Sequence, residues 1–403
     1  MPCFALVLAL LLTCAPLYAA RAYETRHVVI VVIDGGRNTE TLGDPGFANE
    51  PCQGLVLAPA GCRAESWNEG VTSTNPGQAA ILSGVYQALA NDGSERPHLP
   101  TVFEYYRAAT GAPASQAWFF TNKAKLAVMS YSDHPDYGVV MGAQVKADCP
   151  SDVSVVTAAQ ARLFADRPAL LAMNLADTDI VAHSGNWLGY LRALRVADSL
   201  VCDLWTRIEA DTGLAGQTTL FVTNDHGRHD DAHGGFTSHG DACTGCRHVQ
   251  MLALGPDFKT GWVSTIAMQP VDVVPTVGVL LGFPAPYATG HVMDDLLLVP
   301  PGLLGVGDRL VSERLRFAAP VPNPARGAVS LSLEVPTTGD LAVDVLDAQG
   351  RRVATLESGG SGPGRRAITW SGRTGAGQRA APGAYFVRAR MAGRQASARV
   401  VLR

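Results

Sequence analysis

The stretch HVVIVVIDGG, residues 27–36, determines how most of the chain is predicted to fold. Six consecutive apolar residues precede Asp34. A run that is apolar at every position is typical of a strand buried on both faces, as in a parallel sheet covered by helices. Asp34 then stands at the carboxyl end of this strand, beside two glycines that leave room for a ligand. A turn or helix-capping aspartate is the alternative interpretation.

Similar apolar stretches alternate with helical patterns up to about residue 300. The segments that make up this alternation are TVFEYYRAA (101–109), ALLAMNLAD (169–177), GYLRALRVADSLVCDLWTRIEA (189–210) and TTLFVTND (218–225). This alternation predicts an α/β domain, residues 23–298, with a largely parallel sheet and helices on both faces. Ligands of such sheets bind beyond the carboxyl ends of the strands, so Asp34, Asp225 and either Asp177 or Asp179 are expected to converge there.

The last part of the chain, residues 318–403, has a different pattern. Short alternating strands are separated by Gly, Pro and Asp turns, which predicts a small all-β sandwich of the immunoglobulin-like type. Residues 321–403 contain twelve arginines, no lysine and five acidic residues. These arginines are scattered and not grouped with aromatic residues, so a solvated basic face is favoured over nucleic-acid recognition. Residues 299–317 are the predicted linker.

The N-terminus carries an apolar run, residues 4–15, that is too short to span a bilayer. Small residues follow it and offer a cleavage site at Ala20-Arg21-Ala22, so residues 1–22 are interpreted as a secretory signal peptide, with an uncleaved membrane anchor as the alternative. No later segment reaches the roughly 20 apolar residues of a membrane-spanning helix. The mature protein is therefore expected to be secreted, periplasmic or at the cell surface.

Six cysteines remain after residue 22. An even number in an exported protein predicts disulfides, and Cys52–Cys62 and Cys243–Cys246 are the nearest neighbours in sequence. The connectivity stays open from sequence alone. A single C-x-x-C motif without a second pair is weak evidence for a zinc site.

Two further segments are rich in metal-ligand residue types. NLADTDIVAHSGNW (174–187) spaces Asp179 and His183 four residues apart, which places them on one face of a helix. TNDHGRHDDAHGGFTSHGD (223–241) contains four histidines and four aspartates. Asp225 and His226 there follow an apolar strand directly, while His239 or His233 is expected to reach a second ion. A polar loop that binds metal only adventitiously is the alternative.

These acids and histidines provide enough nitrogen and oxygen ligands for two divalent ions, with zinc as the expected metal. Two ions about 3.5–4 Å apart stabilise the attacking and leaving oxygens of an in-line displacement at phosphorus. The segment NEGVTSTNPGQAAILSG (68–84) provides a nucleophile, because Thr74 lies just before a predicted helix whose first turn favours anions. The alternative is that Ser73 or Thr74 only caps this helix.

Taken in order, these segments resemble the alkaline phosphatase superfamily, in particular its bacterial branch related to nucleotide pyrophosphatases/phosphodiesterases. The matching motifs are VVIVVIDGG, TSTNPGQAAILSG, DTDIVAHSG, VTNDHG and SHG, and they cover roughly residues 27–290. The resemblance implies a covalent phosphothreonine at Thr74 and a phosphoryl contact from Asn91, which otherwise reads as an Asn-Asp-Gly turn. It also implies two metal sites with these ligands: Asp34, Asp225 and His226 for one ion, and Asp179, His183 and His239 for the other.

Specificity rests on FFTNKAKLAV (119–128). Lys123 and Lys125 resemble the K-x-R pair of one group of bacterial alkaline phosphatases, although a lysine replaces the arginine and surface lysines are the plain alternative. Two cations favour a dianionic monoester over a diester. The sulfatase pattern C/S-x-P-x-R is absent, since residues 74–78 read TNPGQ. The resemblance therefore implies an exported phosphomonoesterase acting on a small phosphate ester.

Two other functions remain open. One is a phosphodiesterase or nucleotide pyrophosphatase, and the other is a non-catalytic surface protein that binds a ligand. The C-terminal segment resembles FlgD-type immunoglobulin-like domains and sorting-type tails in VPNPARG, VDVLDAQGRRVATL and PGAYFVRAR. This second resemblance implies contact with export machinery or the cell surface, and not chemistry.

Overall fold

The computed structural model describes residues 23–301, 315–317, 320, 323–335, 339–361, 364–391 and 393–403. The predicted signal peptide and most of the predicted linker lie outside these residues. No helix within the described ranges is long and apolar enough to cross a membrane.

The larger domain is built on an eight-stranded mixed sheet. Its strands are β1 His27–Ile33, β2 Cys62–Trp67, β3 Ala117–Thr121, β4 Gln144–Lys146, β5 Leu170–Leu175, β6 Thr218–Thr223, β7 His248–Leu254 and β8 Trp262–Val263. The spatial order is β4-β3-β5-β1-β6-β7-β2-β8. The first five strands in this order are mutually parallel, and β7 runs antiparallel to both of its neighbours. The predicted, largely parallel sheet is therefore confirmed.

Helices cover both faces of this sheet. They are α1 Ala58–Ala60, α2 Thr74–Ser83, α3 Val102–Thr110, α4 Asp152–Asp166, α5 Asp177–His183, α6 Trp187–Ala210, α7 Thr244–Arg247 and α8 Val273–Leu281. Shorter helical turns are Asn38–Glu40, Gln53–Leu57, Ala114–Gln116, Ala124–Ser130, Val139–Met141, Asp231–His233, Pro270–Asp272 and Asp294–Leu296. Helices α2, α3 and α8 pack on one face, and α4 and α6 pack on the other.

Strand β1 shows why its sequence is apolar at every position. Val28, Ile30 and Val32 enter the core under α2, α3 and α8, and the alternate residues enter the core under α4 and α6. None of the six is more than 1% exposed. Burying a side chain of this size stabilises the fold by about 1.5–3 kcal/mol relative to leaving it in water.

One disulfide, Cys52–Cys202, joins the segment before Gln53–Leu57 to helix α6. Neither of the two pairs nearest in sequence, Cys52–Cys62 and Cys243–Cys246, is formed in the structure, where Cys62, Cys149, Cys243 and Cys246 are free thiols. The reason is topological, because α6 crosses the sheet and passes beside residue 52, whereas β2 carries Cys62 into the core.

The C-terminal region forms two antiparallel sheets, which confirms the predicted all-β architecture. Its strands are β9 Arg316–Phe317, β10 Val329–Val335, β11 Gly339–Leu346, β12 Arg352–Ser361, β13 Gly364–Trp370, β14 Gly383–Met391 and β15 Arg394–Leu402. They are arranged as β13-β10-β9 and β12-β11-β14-β15. Trp370 packs edge-on against Tyr385 within the hydrophobic core of this region. Strand β9 lies at the end of the stretch predicted as linker.

Candidate active site and metal centre

The candidate site lies where three neighbouring parallel strands end. Strands β5, β1 and β6 are adjacent, with Val32 of β1 opposite Asn174 of β5 and Thr223 of β6. The residues just beyond their carboxyl ends therefore meet at one edge of the sheet. Asp34 follows β1 and Asp225 follows β6, and both side chains are completely buried.

Asp34, Asp225 and His226 form the first ligand group, with one ligand atom from each within 4.8 Å of the others. His226 Nε2 lies 3.5 Å from Asp34 Oδ1 and 3.8 Å from Asp225 Oδ2. Its Nδ1 lies 2.8 Å from the Gly227 carbonyl oxygen, so Nδ1 donates and the Nε2 lone pair faces the carboxylates. Burial lowers the pKa of His226. A neutral imidazole is the form that binds a metal.

The surroundings of Asp34 Oδ1 show whether this group suits a cation. The atom is buried and has no hydrogen-bond partner within the described residues. Burial, followed by the Asp34 charge, also raises the pKa of Asp225 well above its usual range. Two adjoining buried carboxylates with an unpartnered oxygen and a neutral histidine are the donor set that a divalent ion satisfies. The residues therefore fit a metal.

Asp179, His183 and His239, the predicted second group, lie beside the first group, and Asp179 and His239 also each bring a ligand atom within 4.8 Å of His226. Asp179 and His183 lie one turn apart on α5, and their Oδ1 and Nε2 atoms are 3.3 Å apart. His239 Nε2 is 3.5 Å from the same oxygen and 3.2 Å from His183 Nε2. His239 Nδ1 contacts the Thr72 carbonyl oxygen at 2.9 Å, which orients the ring. Burial, aided by His226, lowers the pKa of His239 to about 3, so it too is neutral.

The two groups adjoin, because the His226 and His239 rings stack with centroids 3.8 Å apart. The two competing residues from the sequence are not part of either group. Asp177 instead accepts hydrogen bonds from the Asn122 side chain and the Asp152 backbone. His233 pairs with Asp230 on the surface.

Thr74 begins helix α2, and its hydroxyl faces the two ligand groups. Thr74 Oγ1 is 3.4 Å from His226 Nε2 and 3.3 Å from Lys123 Nζ. Ser73 occupies the N-cap position, but no side-chain hydrogen bond caps this helix. The capping interpretation is therefore not supported for either hydroxyl. The positive end of the ten-residue helix points at the site and favours an anion there.

Lys123 lies between the two ligand groups. Its Nζ donates to Asp34 Oδ2 at 2.8 Å and to Asp179 Oδ2 at 2.6 Å. Burial opposes the lysine charge, but the nearby carboxylates outweigh burial and raise the pKa of Lys123. Lys123 is thus a fixed cation at the centre of the site.

Asn91 and Lys125 form the outer part of the site. Lys125 Nζ donates to the Asn91 carbonyl oxygen at 2.8 Å and to Asn91 Oδ1 at 2.9 Å. Asn91 Oδ1 also accepts from the Asn75 backbone at 2.9 Å. With Oδ1 occupied, the Nδ2 group of Asn91 is the donor left for a substrate. Burial and the Lys123 charge lower the pKa of Lys125.

Arg228 was missed by sequence reasoning. It is fully buried, and its Nη1 donates to Asp179 Oδ1 at 2.5 Å. Its other nitrogens donate to the carbonyl oxygens of Phe236 and Thr237, in the segment that leads to His239. Burial opposes ionisation of Asp179, but His183, Lys123 and Arg228 outweigh burial and hold its pKa below the usual range. Its position two residues after His226 was the available signal.

Two segments of the chain match known protein families. Residues 134–259 match the family model described as Metalloenzyme superfamily, and residues 323–394 match the FlgD Ig-like domain. A protein of the alkaline phosphatase superfamily from Vibrio parahaemolyticus aligns with a TM-score of 0.52 at 12% identity, covering 86% of this chain and 79% of that one. The larger domain has an alkaline phosphatase-like fold.

Two further solved structures share the alkaline phosphatase-like fold. Murine ectonucleotide pyrophosphatase/phosphodiesterase 5 aligns with a TM-score of 0.51 at 13% identity, covering 68% of this chain and 100% of that one. Alkaline phosphatase PafA aligns with a TM-score of 0.51 at 11% identity, covering 68% and 99%. No curated protein matches the chain in sequence.

These findings confirm the two predicted resemblances, to the alkaline phosphatase superfamily and to FlgD-type Ig-like domains. The Metalloenzyme superfamily match also confirms the prediction of a metal-dependent enzyme for the alkaline phosphatase-like domain. The matched region includes Asp179, His183 and Asp225 through His239, and therefore most of the candidate ligands.

Proposed function

We propose that this chain is an exported, two-metal phosphomonoesterase that acts through a covalent phosphothreonine at Thr74. The observation that carries the proposal is the position of the Thr74 hydroxyl. It lies at the N-terminus of α2, 3.4 Å from a histidine of one ligand group and 3.3 Å from a lysine that bridges both groups. No other hydroxyl among the described residues contacts both His226 and Lys123.

Each ligand group would hold one divalent ion. Asp34, Asp225 and His226 would bind the first, and Asp179, His183 and His239 the second. All six offer nitrogen or oxygen atoms, a donor set that suits zinc. When bound, two such ions stabilise the negative charge that develops on the attacking and leaving oxygens of phosphoryl transfer.

The chain itself supplies the nucleophile and the oxyanion donors. Thr74 Oγ1 forms a bond to phosphorus as the ester P–O bond breaks, and the alcohol leaves with its oxygen. The proton from Thr74 leaves with the alcohol. Water then attacks the phosphothreonine, the bond between phosphorus and Thr74 breaks, and phosphate leaves as Thr74 Oγ1 takes up a proton from that water. The backbone at the start of α2 and the Asn91 Nδ2 group would hold phosphoryl oxygens during both steps.

Preference for a monoester is supported by Lys123 and Lys125. A monoester dianion carries more charge than a diester, and a second cation near the phosphoryl group offsets that charge. Lys123 already lies 3.3 Å from Thr74 Oγ1. The Lys125 side chain holds Asn91, the predicted phosphoryl contact, by donating to both the backbone and the side-chain oxygen of Asn91. One lysine therefore contacts the proposed nucleophile, and the other contacts the residue proposed to hold a phosphoryl oxygen.

The named activities of the structural neighbours include both an alkaline phosphatase and a pyrophosphatase/phosphodiesterase. Hydrolysis of p-nitrophenyl phosphate and bis-p-nitrophenyl phosphate by zinc-loaded protein separates these two. We expect faster turnover of the monoester and loss of turnover in Thr74→Ala. Ser73→Ala is the matched control, because its hydroxyl does not cap α2.

Three results would count against the proposal. Faster hydrolysis of the diester would assign a phosphodiesterase. Equal activity of wild type and Thr74→Ala would remove the nucleophile. A protein that binds zinc but hydrolyses neither ester would favour a surface protein that only binds a ligand. Trapping of a phosphorylated Thr74 peptide by acid quenching would identify the covalent intermediate directly.

The remaining parts of the proposal concern location and partners. Export rests on the N-terminal segment interpreted as a signal peptide, residues 1–22. The FlgD-type Ig-like domain would serve contact with export machinery or the cell surface. Its sheet cores contain none of the residues of the candidate active site.

A further inference from the structure

A second cluster of metal-ligand residues lies beside the candidate active site. His229, Asp241, Cys243 and Cys246 bring one ligand atom each within 4.8 Å of one another. His229 Nδ1 lies 3.6 Å from Cys243 Sγ, 3.7 Å from Cys246 Sγ and 3.1 Å from Asp241 Oδ2. None of the four belongs to the two ligand groups near Thr74. We propose that this cluster binds a further zinc ion with a structural role.

The donor set matches structural zinc. Zinc in structural sites is four-coordinate, and its usual ligands are thiolates, imidazoles and, less often, carboxylates. Two thiols, one imidazole and one carboxylate provide four donors of these types. The C-x-x-C motif alone was weak evidence, and the structure adds His229 and Asp241, which lie outside the motif.

The surroundings of the thiols support a closed site. Cys246 is completely buried and Cys243 nearly so, and both thiols are free. Asp241 is partly accessible, and its Oδ1 accepts from the Cys243 backbone at 2.9 Å, which leaves Oδ2 toward His229. The cluster therefore has a protein-facing side made of sulfur and one accessible side through which an ion enters.

The backbone is shaped to bring the motif against residues 227–230. Gly245 lies inside the C-x-x-C turn, and a Cβ there would lie 2.4 Å from the Arg228 carbonyl oxygen. Gly227 in turn would meet the Gly245 carbonyl oxygen at 2.0 Å. Only glycine at both positions permits this approach. Gly227 also donates a hydrogen bond to the Cys246 carbonyl oxygen at 2.8 Å.

The position of the cluster defines its role. Residues 224–247 connect β6 to β7 with almost no regular secondary structure, yet they carry His226, Arg228 and His239. A zinc ion at His229, Asp241, Cys243 and Cys246 would tie both ends of this segment together and hold His239 in place. The ion would thus substitute for a hydrophobic core, which this short polar segment cannot form.

Two competing states of the same residues are testable. One is a Cys243–Cys246 disulfide, which would remove both thiolates. The other is an ion at Asp230, His233 and Cys243, which also approach one another, although His233 is exposed and Asp230 is only partly buried. The first predicts no metal–sulfur bond, and the second predicts loss of the ion in His233→Ala.

Cobalt substitution of the purified full-length protein is the decisive experiment, because only a site with thiolate ligands gives thiolate-to-cobalt charge-transfer absorption. The candidate active site contains only nitrogen and oxygen ligands and stays silent in this band. We expect the band in wild type. Cys243→Ser and Cys246→Ser should each lose the band, and each should bind about one equivalent less zinc per chain than wild type. Cys149→Ser, which removes another free buried thiol, and His233→Ala should retain the band.

X-ray absorption at the zinc edge of the wild-type protein provides a readout that needs no variant. A zinc–sulfur shell at about 2.3 Å supports the site, and a spectrum with nitrogen and oxygen neighbours alone overturns it. A Cys243–Cys246 disulfide detected by mass spectrometry in zinc-loaded protein also overturns it. These readouts do not depend on hydrolase activity, so failure of the proposed function and failure of this site are distinguishable.

Discussion

Arg228 Nη1 and Asp179 Oδ1 are 2.5 Å apart, and neither side chain is more than 4% exposed. The same Asp179 oxygen lies 3.3 Å from His183 Nε2 and 3.5 Å from His239 Nε2. One carboxylate oxygen is thus shared between a buried guanidinium and the second ligand group. Arg228 therefore sets the direction in which Asp179 presents its oxygens, and it ties this ligand to the segment that carries His239.

Substitution of Arg228 should weaken metal binding at the second group. Arg228→Ala removes the partner of Asp179 and the hydrogen bonds to Phe236 and Thr237. Loss of such a supporting partner typically lowers metal affinity about 10–100-fold. We expect activity to return at high zinc concentration. Zinc titration against a competing chelator measures the shift, with Arg107→Ala, remote from the site, as control. Unchanged affinity would show that Arg228 only fills space.

Replacement of Lys123 by methionine should change substrate preference as well as rate. Removal of one donor to a transition-state oxyanion commonly costs about 10²–10³ in kcat. The loss should be larger for p-nitrophenyl phosphate than for its diester, because the monoester carries the additional charge. Lys125→Ala should act in the same direction but less strongly. Lys146→Ala, which removes a surface ion pair with Asp148, is the control. Equal losses for both esters would contradict a charge-based preference.

The disulfide Cys52–Cys202 should contribute substantially to stability because it closes a segment of 150 residues. Cross-links of this kind stabilise proteins by about 2–4 kcal/mol, mainly by restricting the unfolded chain. We expect Cys52→Ser/Cys202→Ser to lose this much free energy of unfolding in denaturant titrations. Cys149→Ser, a free buried thiol, provides a comparison for the removal of sulfur alone. The same result in reduced wild type would confirm that the bond, and not the residues, is responsible.

Asp152 should make stability depend on pH. Burial, followed by the Asp177 charge, raises the pKa of Asp152 from 3.8 to about 7. Because the folded state binds this proton more tightly, the contribution to stability is full below about pH 4 and is lost as pH rises through about 7. Asp152→Asn should remove this dependence, so that the variant gains stability relative to wild type as pH rises from 5 to 8. Parallel denaturation profiles of the two proteins across this range would refute the shift.

Much of the larger domain was predictable because its strands are buried on both faces. Uninterrupted apolar runs such as 28–33 admit few alternatives, and the acids that follow them must lie at one edge of a parallel sheet. The spacing of Asp179 and His183 likewise predicts their contact, since helical geometry alone brings them together. Local pattern and chain direction are sufficient for these features.

Other contacts depend on chain folding that no local pattern encodes. The Cys52–Cys202 bond joins residues that only the path of α6 brings together, so the sequence left the connectivity open. Arg228 lies in a polar segment, and its burial is explained by its contact with the buried Asp179, which the sequence does not show. The contact of His229 with Cys243 and Cys246 depends on the path of the loop between them, which no local sequence pattern encodes.

The ligands near Thr74 come from widely separated parts of the chain, from Asp34 to His239. During synthesis from the N-terminus, the proposed nucleophile Thr74 is therefore made before five of the six proposed ligands. A prematurely terminated chain that ends before β6 would contain Thr74, Asp34, Asp179 and His183, but it would lack Asp225, His226 and His239, so neither proposed ligand group would be complete. Filling both proposed metal sites would therefore require the chain through His239, so metal uptake would report that this part of the larger domain has been made.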